Sequence, residues 1–318
     1  MRKFAKTIFV YFCYYTGLNF FYSFFCNNKI FVLIYHSVTS KNDNAELMSD
    51  LYPGLSIDVK RFEEQIKYLK KRGHTFLKMS DLTILKHKKI RKPTIIYFDD
   101  GFKNNLINAL PILQHNNIPA TIFITTGFID KTHFLWTLKH RYFLQKKNYS
   151  KDRIKLERAR LKRCSFSERE KELEKIYSKD NFIFNLKDFK VFLNWNDVIS
   201  LSKNNIEIGS HSVSHKNLIE CDNKELNFEI KQSKDIIEKK IGKEIHSFSY
   251  PHGRWNNKIN NILRQNGFKF SASSGVGLNK KQDVSKDFFA VKNIAVRPNE
   301  SLIYFKIKLY IWNILKLI

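Results

Sequence analysis

Two adjacent carboxylates close an apolar run, Thr94-Ile95-Ile96-Tyr97-Phe98-Asp99-Asp100-Gly101-Phe102, and two histidines stand four apart in Gly209-Ser210-His211-Ser212-Val213-Ser214-His215. These are the residues of the chain best suited to chemistry. The apolar run reads as a buried strand, and Asp-Asp-Gly is where a chain leaves one. Side chains alternate faces along a strand, so neighbouring carboxylates serve one site only at a turn. There, one can hold a metal and the other can reach a water that the metal polarises. A spacing of four brings two imidazoles to one side of a helical turn. Two imidazoles and one carboxylate, with positions left for water, make a catalytic rather than a closed structural site for Zn²⁺ or a similar ion. Alone, the acidic pair is also a common solvated turn and the histidine pair a common helix face. Both in this order, each at the mouth of a predicted strand, form a specific pattern.

A third segment, Phe248-Ser249-Tyr250-Pro251-His252-Gly253, also sits at a predicted strand end. Together the three resemble the polysaccharide deacetylase (NodB-homology) domain, carbohydrate esterase family 4. Leu33-Ile34-Tyr35-His36-Ser37-Val38 and Phe62-Glu63-Glu64-Gln65-Ile66-Lys67-Tyr68-Leu69 resemble the branch acting on surface polysaccharides. The resemblance covers residues 30–300, with an interruption. It implies a distorted, incomplete (β/α) barrel of about seven repeats. It also implies Asp100, His211 and His215 as metal ligands and Asp99 as the base that takes a proton from metal-bound water. The family's oxyanion donor, a backbone N–H, falls at His252, with Tyr250 and Pro251 shaping the groove. The metal is expected to be zinc, with Co²⁺, Ni²⁺ or Mn²⁺ as substitutes.

The chain departs from the family pattern in two places. Ser249 stands where the family has an arginine that holds the catalytic aspartate. The late Leu-x-His, whose imidazole protonates the leaving amine, has no counterpart, since the matching stretch Val291-Lys292-Asn293-Ile294-Ala295-Val296 lacks histidine. Lys292 and Arg297 are poor proton donors near neutral pH. His36, at the end of the first predicted strand, is the first candidate for the missing acid and His252 the second. A hydrogen-bonded structural role is equally open to each. The activity implied is hydrolysis of an N-acetyl group on an amino sugar of a surface polysaccharide or glycan precursor. The alternatives are deformylation or deacetylation of a lipid-linked amino sugar, or a barrel that binds glycans without turnover.

The remaining pattern alternates strand and helix. Strands are expected over residues 30–35, 94–98, 120–125, 206–209, 245–250 and 268–272. Helices are expected over 59–72, 195–202, 226–241 and 257–265. Repeated βα units argue for a parallel sheet with the motifs at strand carboxyl ends. Residues 128–193 break the rhythm and read as a helical insertion on the active-site side, with Trp136 and Trp195 at its flanks as candidate sugar-lining residues.

A net charge of +26 suits an anionic surface. No nucleic-acid motif accompanies it, so no nucleic-acid partner is expected. Residues 1–29 look membrane-seeking: 7–28 carry no charge, are dense in aromatics, and follow Arg2, Lys3 and Lys6. That favours an anchor over a helix lying on the bilayer or against the barrel. Residues 301–318 alternate lysines with bulky apolar groups, which suits an interfacial amphipathic helix or a terminal helix packed on the core. The expected location is the membrane-associated bacterial cell envelope. Four cysteines without C-x-x-C spacing imply no cysteine metal site.

Overall fold

The computed structural model describes residues 2–40, 54–298 and 300–315. In chain order its strands are β1 (Lys29–Tyr35), β2 (Ser37–Thr39), β3 (Ser56–Asp58), β4 (Thr75–Leu77), β5 (Pro93–Phe98), β6 (Ala120–Ile124), β7 (Ile206–Ser210), β8 (Ser247–Ser249), β9 (Phe270–Val276), β10 (Asn279–Lys280) and β11 (Val291–Ala295). Seven of them close a parallel ring in the order β1, β11, β9, β8, β7, β6, β5 and back to β1. The first strand therefore closes the ring, pairing with β5 over Phe31–Tyr35 and with β11 at Leu33 and Ile34. This is the (β/α) barrel of about seven repeats that the motifs imply.

Strand alternation explains why β1, β5 and β6 read as near-continuous apolar runs, since both of their faces are covered. Ile30, Val32, Ile95, Tyr97, Phe123, Phe270 and Ala272 fill the barrel interior, closed at one end by Leu82 and Leu85. Phe31, Leu33, Tyr35, Ile96 and Phe98 face outward and pack beneath helices, among them Val59–Lys71, which presents Phe62, Ile66 and Leu69. Both faces are dry, so the period-2 signal of a half-exposed strand is absent. The Asp58 side chain caps helix Val59–Lys71 by accepting the Lys60 and Arg61 N–H groups, which fixes where the helix starts.

Between β6 and β7 the chain builds helices Trp136–Lys146, Lys151–Leu161 and Phe166–Lys179. They share a small core of their own from Phe143, Leu144, Ile154, Leu161, Leu173 and Tyr177. The helix expected over 226–241 is broken. Asn223–Asn227 leads through a π-turn, Phe228–Gln232, into Ser233–Ile241.

Both chain ends are helical. The apolar stretch over 7–28 is two helices, Arg2–Tyr15 and Leu18–Phe25, because Gly17 takes a left-handed conformation (φ 72°) between them. Among the described residues no helix is long and apolar enough to cross a membrane. The terminal helix Leu302–Leu315 packs into the core instead of lying at an interface: Phe305, Ile307, Leu309 and Tyr310 are buried. Its alternating lysine, Lys308, is also buried and is neutralised by Glu300 at 2.7 Å. Residues 316–318 of the expected helix lie outside the described residues. The N-terminal helices pack on this last helix, and the Arg72 Nη2 donates to Ser23 Oγ at 2.6 Å.

Gly209 shows how tightly the interior is filled. A Cβ there would lie 2.5 Å from the Phe123 ring and 2.8 Å from the Ser247 carbonyl oxygen. Gly209→Ala is expected to cost about 1–3 kcal/mol through overpacking. The midpoint of thermal unfolding should fall by about 2–4 °C for each kcal/mol. An unchanged midpoint would mean that the Phe123 ring has room to move.

Candidate active site

The alternation that fills the interior also aims the chemistry. Ile95 and Tyr97 point into the barrel, so Asp99 continues their row at its mouth. Residues 207, 209 and 211 form the same row on β7, and 247 and 249 on β8. The Ser249 hydroxyl donates to Asp99 Oδ2 at 3.1 Å, and the Ser249 carbonyl accepts the His211 Nδ1–H at 2.7 Å. With Nδ1 occupied as a donor, His211 presents the lone pair of Nε2 to the site. Asp100 takes a left-handed turn (φ 71°) that brings its carboxylate back to the same point. Its Oδ1 lies 3.6 Å from His211 Nε2 and 3.3 Å from His215 Nε2.

One ligand atom from each of Asp100, His211 and His215 lies within 4.8 Å of the others, as a shared ion requires. Asp99 Oδ1 and Asp100 Oδ1 are buried and have no hydrogen-bond partner, so each carries unused acceptor capacity. The donor set and these orphaned oxygens fit a divalent cation. Burial would raise the Asp100 carboxyl, but contact with His215 and the nearby His36 and His211 outweigh it and hold it below the carboxylate range. Asp99 has no such partner, so burial, and then the Asp100 charge, push it well above that range. Burial and the neighbouring His215 lower the His211 imidazole to about 3, which keeps it neutral as a ligand.

The predicted residues divide by place. His36 follows Tyr35, whose carbonyl accepts the Asp99 N–H at 3.1 Å, so it stands across the β1–β5 pair from Asp99. Burial lowers its imidazole against the pull of Asp100. The Asn105 Nδ2 donates to the His36 carbonyl at 2.7 Å and the Asn108 Nδ2 to the Val38 carbonyl at 2.8 Å, fixing this segment. The His252 ring stands edge-on to His215 with centroids 4.7 Å apart. Desolvation, then His215, His211 and Arg169, depress its basicity. The Tyr250 side chain turns away from the mouth into the core, where its hydroxyl meets Asn260 and Ser271. Its contribution to the groove is therefore its backbone. Lys292 and Arg297 are exposed.

Sequence reasoning missed Glu229. This buried carboxylate accepts the Val213 and Ser214 N–H groups, both at 2.9 Å, and the Ser214 hydroxyl. It thereby pins the loop between the two histidines, where Ser212 and His215 hold positive φ (67° and 60°). The π-turn at Phe228–Gln232 carries it. No local signal in the sequence singles it out. A cavity of about 850 Å³, walled by Phe128, Phe134, Trp136 and Phe166, opens beside His215 under the inserted helices. Trp136 lines it. Trp195 does not, and its Nε1 donates instead to Asp130 at 2.6 Å.

Glu229→Ala leaves two loop N–H groups without their acceptor, at about 1–3 kcal/mol for each that stays buried. Zinc affinity measured by calorimetric titration is expected to fall about 10–100-fold, the usual effect of losing support behind a ligand. Glu229→Gln, which keeps one acceptor oxygen, should fall in between. Unchanged affinity in both variants would mean that the loop holds its own shape.

Comparison with known proteins places this geometry. The family model described as polysaccharide deacetylase matches residues 86–271. A poly-beta-1,6-N-acetyl-D-glucosamine N-deacetylase of Staphylococcus aureus is 25% identical over 253 residues, covering 77% of this chain and 72% of that protein. Among solved structures, the Streptococcus pyogenes deacetylase PplD in complex with acetate superposes with a TM-score of 0.61 at 17% identity, over 88% of this chain and 97% of that one. IcaB from Ammonifex degensii gives 0.56 at 16% identity, over 85% and 92%. The match extends over more than half of the chain and takes in Asp99, Asp100, His211, His215 and the Tyr-Pro turn: the chain belongs to the polysaccharide deacetylase family, hydrolases of carbon–nitrogen bonds other than peptide bonds.

Proposed function

We propose that this hydrolase removes the N-acetyl group from an amino sugar of a surface polysaccharide or its precursor, with a divalent cation, zinc first, held by Asp100, His211 and His215. The observation that carries the reading is the division of labour between two adjacent carboxylates. Asp100 is committed to the histidines, while Asp99 is held by Ser249 and keeps one oxygen free. A bound cation would supply Lewis acidity towards the acyl oxygen and a more acidic water. Asp99 takes the proton of the attacking water, and burial suits it to hold that proton. The backbone N–H of His252 donates to the oxyanion. The carbon–nitrogen bond then breaks, the water oxygen leaves in acetate, and the amine departs with a proton passed through His36. Ser249 replaces the family's arginine as the group that orients Asp99, with a neutral hydroxyl in place of a charge.

Acetate release from N-acetylglucosamine oligomers tests this reading. Asp99→Asn should lower turnover at least about 100-fold with zinc still bound. His36→Ala should lower it strongly, also with metal content intact, and a chelator should abolish it until zinc is restored. Release by Asp99→Asn at the wild-type rate would overturn the assignment of the base.

We further propose that the chain works at a membrane surface, lying on it and not spanning it. Tyr11, Phe12, Tyr15, Phe20, Phe21, Phe24 and Phe25 are all exposed on the two N-terminal helices, Tyr15 and Phe25 by 77% and 66%. Exposed aromatic groups this dense mark an interaction surface, and aromatic rings suit the headgroup boundary. The net charge of +26 complements anionic lipid. The full chain should float with phosphatidylglycerol vesicles, and the double variant Phe21→Glu, Phe25→Glu should stay behind. Wild-type protein that stays behind would rule out the surface.

A further inference from the structure

The cavity beside His215 contains a charge that the hydrolysis described above does not use. Arg169 stands in its wall on helix Phe166–Lys179 and is only 7% exposed. Its guanidinium carbon lies 4.9 Å from the Trp136 ring centroid and 5.4 Å from that of Phe166. Among the described residues its side chain has no hydrogen-bond partner and no carboxylate at ion-pair distance, although the Glu170 and Glu220 charges act on it from further away, and its Nε is buried and unpaired. Cation–π contact returns about 0.5–2 kcal/mol, and burial outweighs what the more distant Glu170 and Glu220 charges give back. Arginine does not escape by losing its proton. The aromatic contacts hold the group in place without satisfying its five donors.

The surroundings favour an anion. Lys139 lines the same cavity with its ammonium 4.7 Å from the Tyr177 ring centroid, and it too has no carboxylate partner among the described residues. Lys216 is already paired with Glu225 at 3.0 Å. Glu170 and Glu174 also line the cavity, but both are exposed; Glu170 attracts Arg169 and Lys139 only from beyond ion-pair distance. A planar guanidinium fork with a free face matches a carboxylate or phosphate in two-point contact. Aromatic walls around it suit the apolar face of a sugar ring. His215 lines the same cavity, so a ligand held by Arg169 reaches the metal ligands without leaving it.

We propose that the substrate carries an anionic substituent, a phosphate ester or a carboxylate, on or next to the acylated sugar, and that Arg169 binds it in the cavity formed by the inserted helices. This deepens the functional reading above and rests on it. Arg169 is a specificity determinant here and touches no reacting atom.

The test is calorimetric binding of N-acetylglucosamine 1-phosphate, N-acetylmuramic acid and neutral methyl N-acetylglucosaminide to the full zinc-loaded chain. Wild type should bind at least one of the anionic sugars about tenfold or more tighter than the neutral one, about 1.4 kcal/mol. Which of the two is preferred separates a phosphate source from a carboxylate source. In Arg169→Gln that preference should shrink to near one. A wild-type ratio near one overturns the proposal, and this holds even if the variant does not fold. A preference that survives unchanged in Arg169→Gln overturns it as well. Acetate release, measured in parallel, separates the two levels. Preference without release from any of the sugars would sink the deacetylase reading and leave the anion site standing, whereas release without preference would do the reverse.

Discussion

Two carboxylates on consecutive residues, both buried at the mouth of the barrel, are the constraint on which the rest of the site depends. Each loses its water, and each repels the other. The chain answers with asymmetry. Asp100 bends back through a left-handed turn towards two imidazoles, and Asp99 receives one hydroxyl. The result is one carboxylate held ionised and one inclined to hold a proton. A ligand and a base thus come from one residue type at adjacent positions, separated only by environment.

This asymmetry needs a stiff frame. Asp100, Ser212, His215 and His252 all hold positive φ, a region that costs a residue other than glycine of order 1–3 kcal/mol. Such turns persist where their surroundings leave no alternative. Here the surroundings are a filled barrel below, Glu229 bracing the histidine loop, and Asn105 and Asn108 fixing the segment that carries His36. Ser249 serves two strands at once, orienting Asp99 with its hydroxyl and His211 with its carbonyl. With serine at that position, Asp99 still has a partner.

Much of this was legible before any coordinates. Apolar runs alternating with helical spacing give a parallel βα sheet, and the Asp-Asp-Gly turn with the His-x-x-x-His spacing gives two imidazoles and a carboxylate suited to a metal. The barrel, and Asp100, His211 and His215 as its ligands, are what the family resemblance implies. Four features were not legible, and for three of them a non-local fact decides. Glu229 is one glutamate among many until a π-turn brings it against the 213–214 backbone. Tyr250 lies in the motif, yet its side chain is claimed by Asn260 and Ser271, which are distant in the pattern. The lysines of the last helix left an interfacial and a core-packing reading open, and the choice rests on Glu300, which neutralises Lys308 and lets the helix pack. The N-terminal aromatics read as one span because composition does not register a single left-handed glycine.

The way the ring closes sets an order on the making of the protein. Strands β5, β6, β7 and β8 are neighbours in chain order as well as in space, so the segment holding Asp99, His211 and Ser249 can pair as it leaves the ribosome. The second edge of β1 waits for β11, roughly 260 residues later, and the N-terminal helices wait for the last helix of all. Contacts of such sequence separation form slowly. Until they form, the nascent chain carries an open strand edge and aromatic helices with no docking face, the two features that draw unfinished chains into aggregates. The seam between β1 and β11 is thus the part of the barrel that stays open longest, after the strands that carry the site have been able to pair.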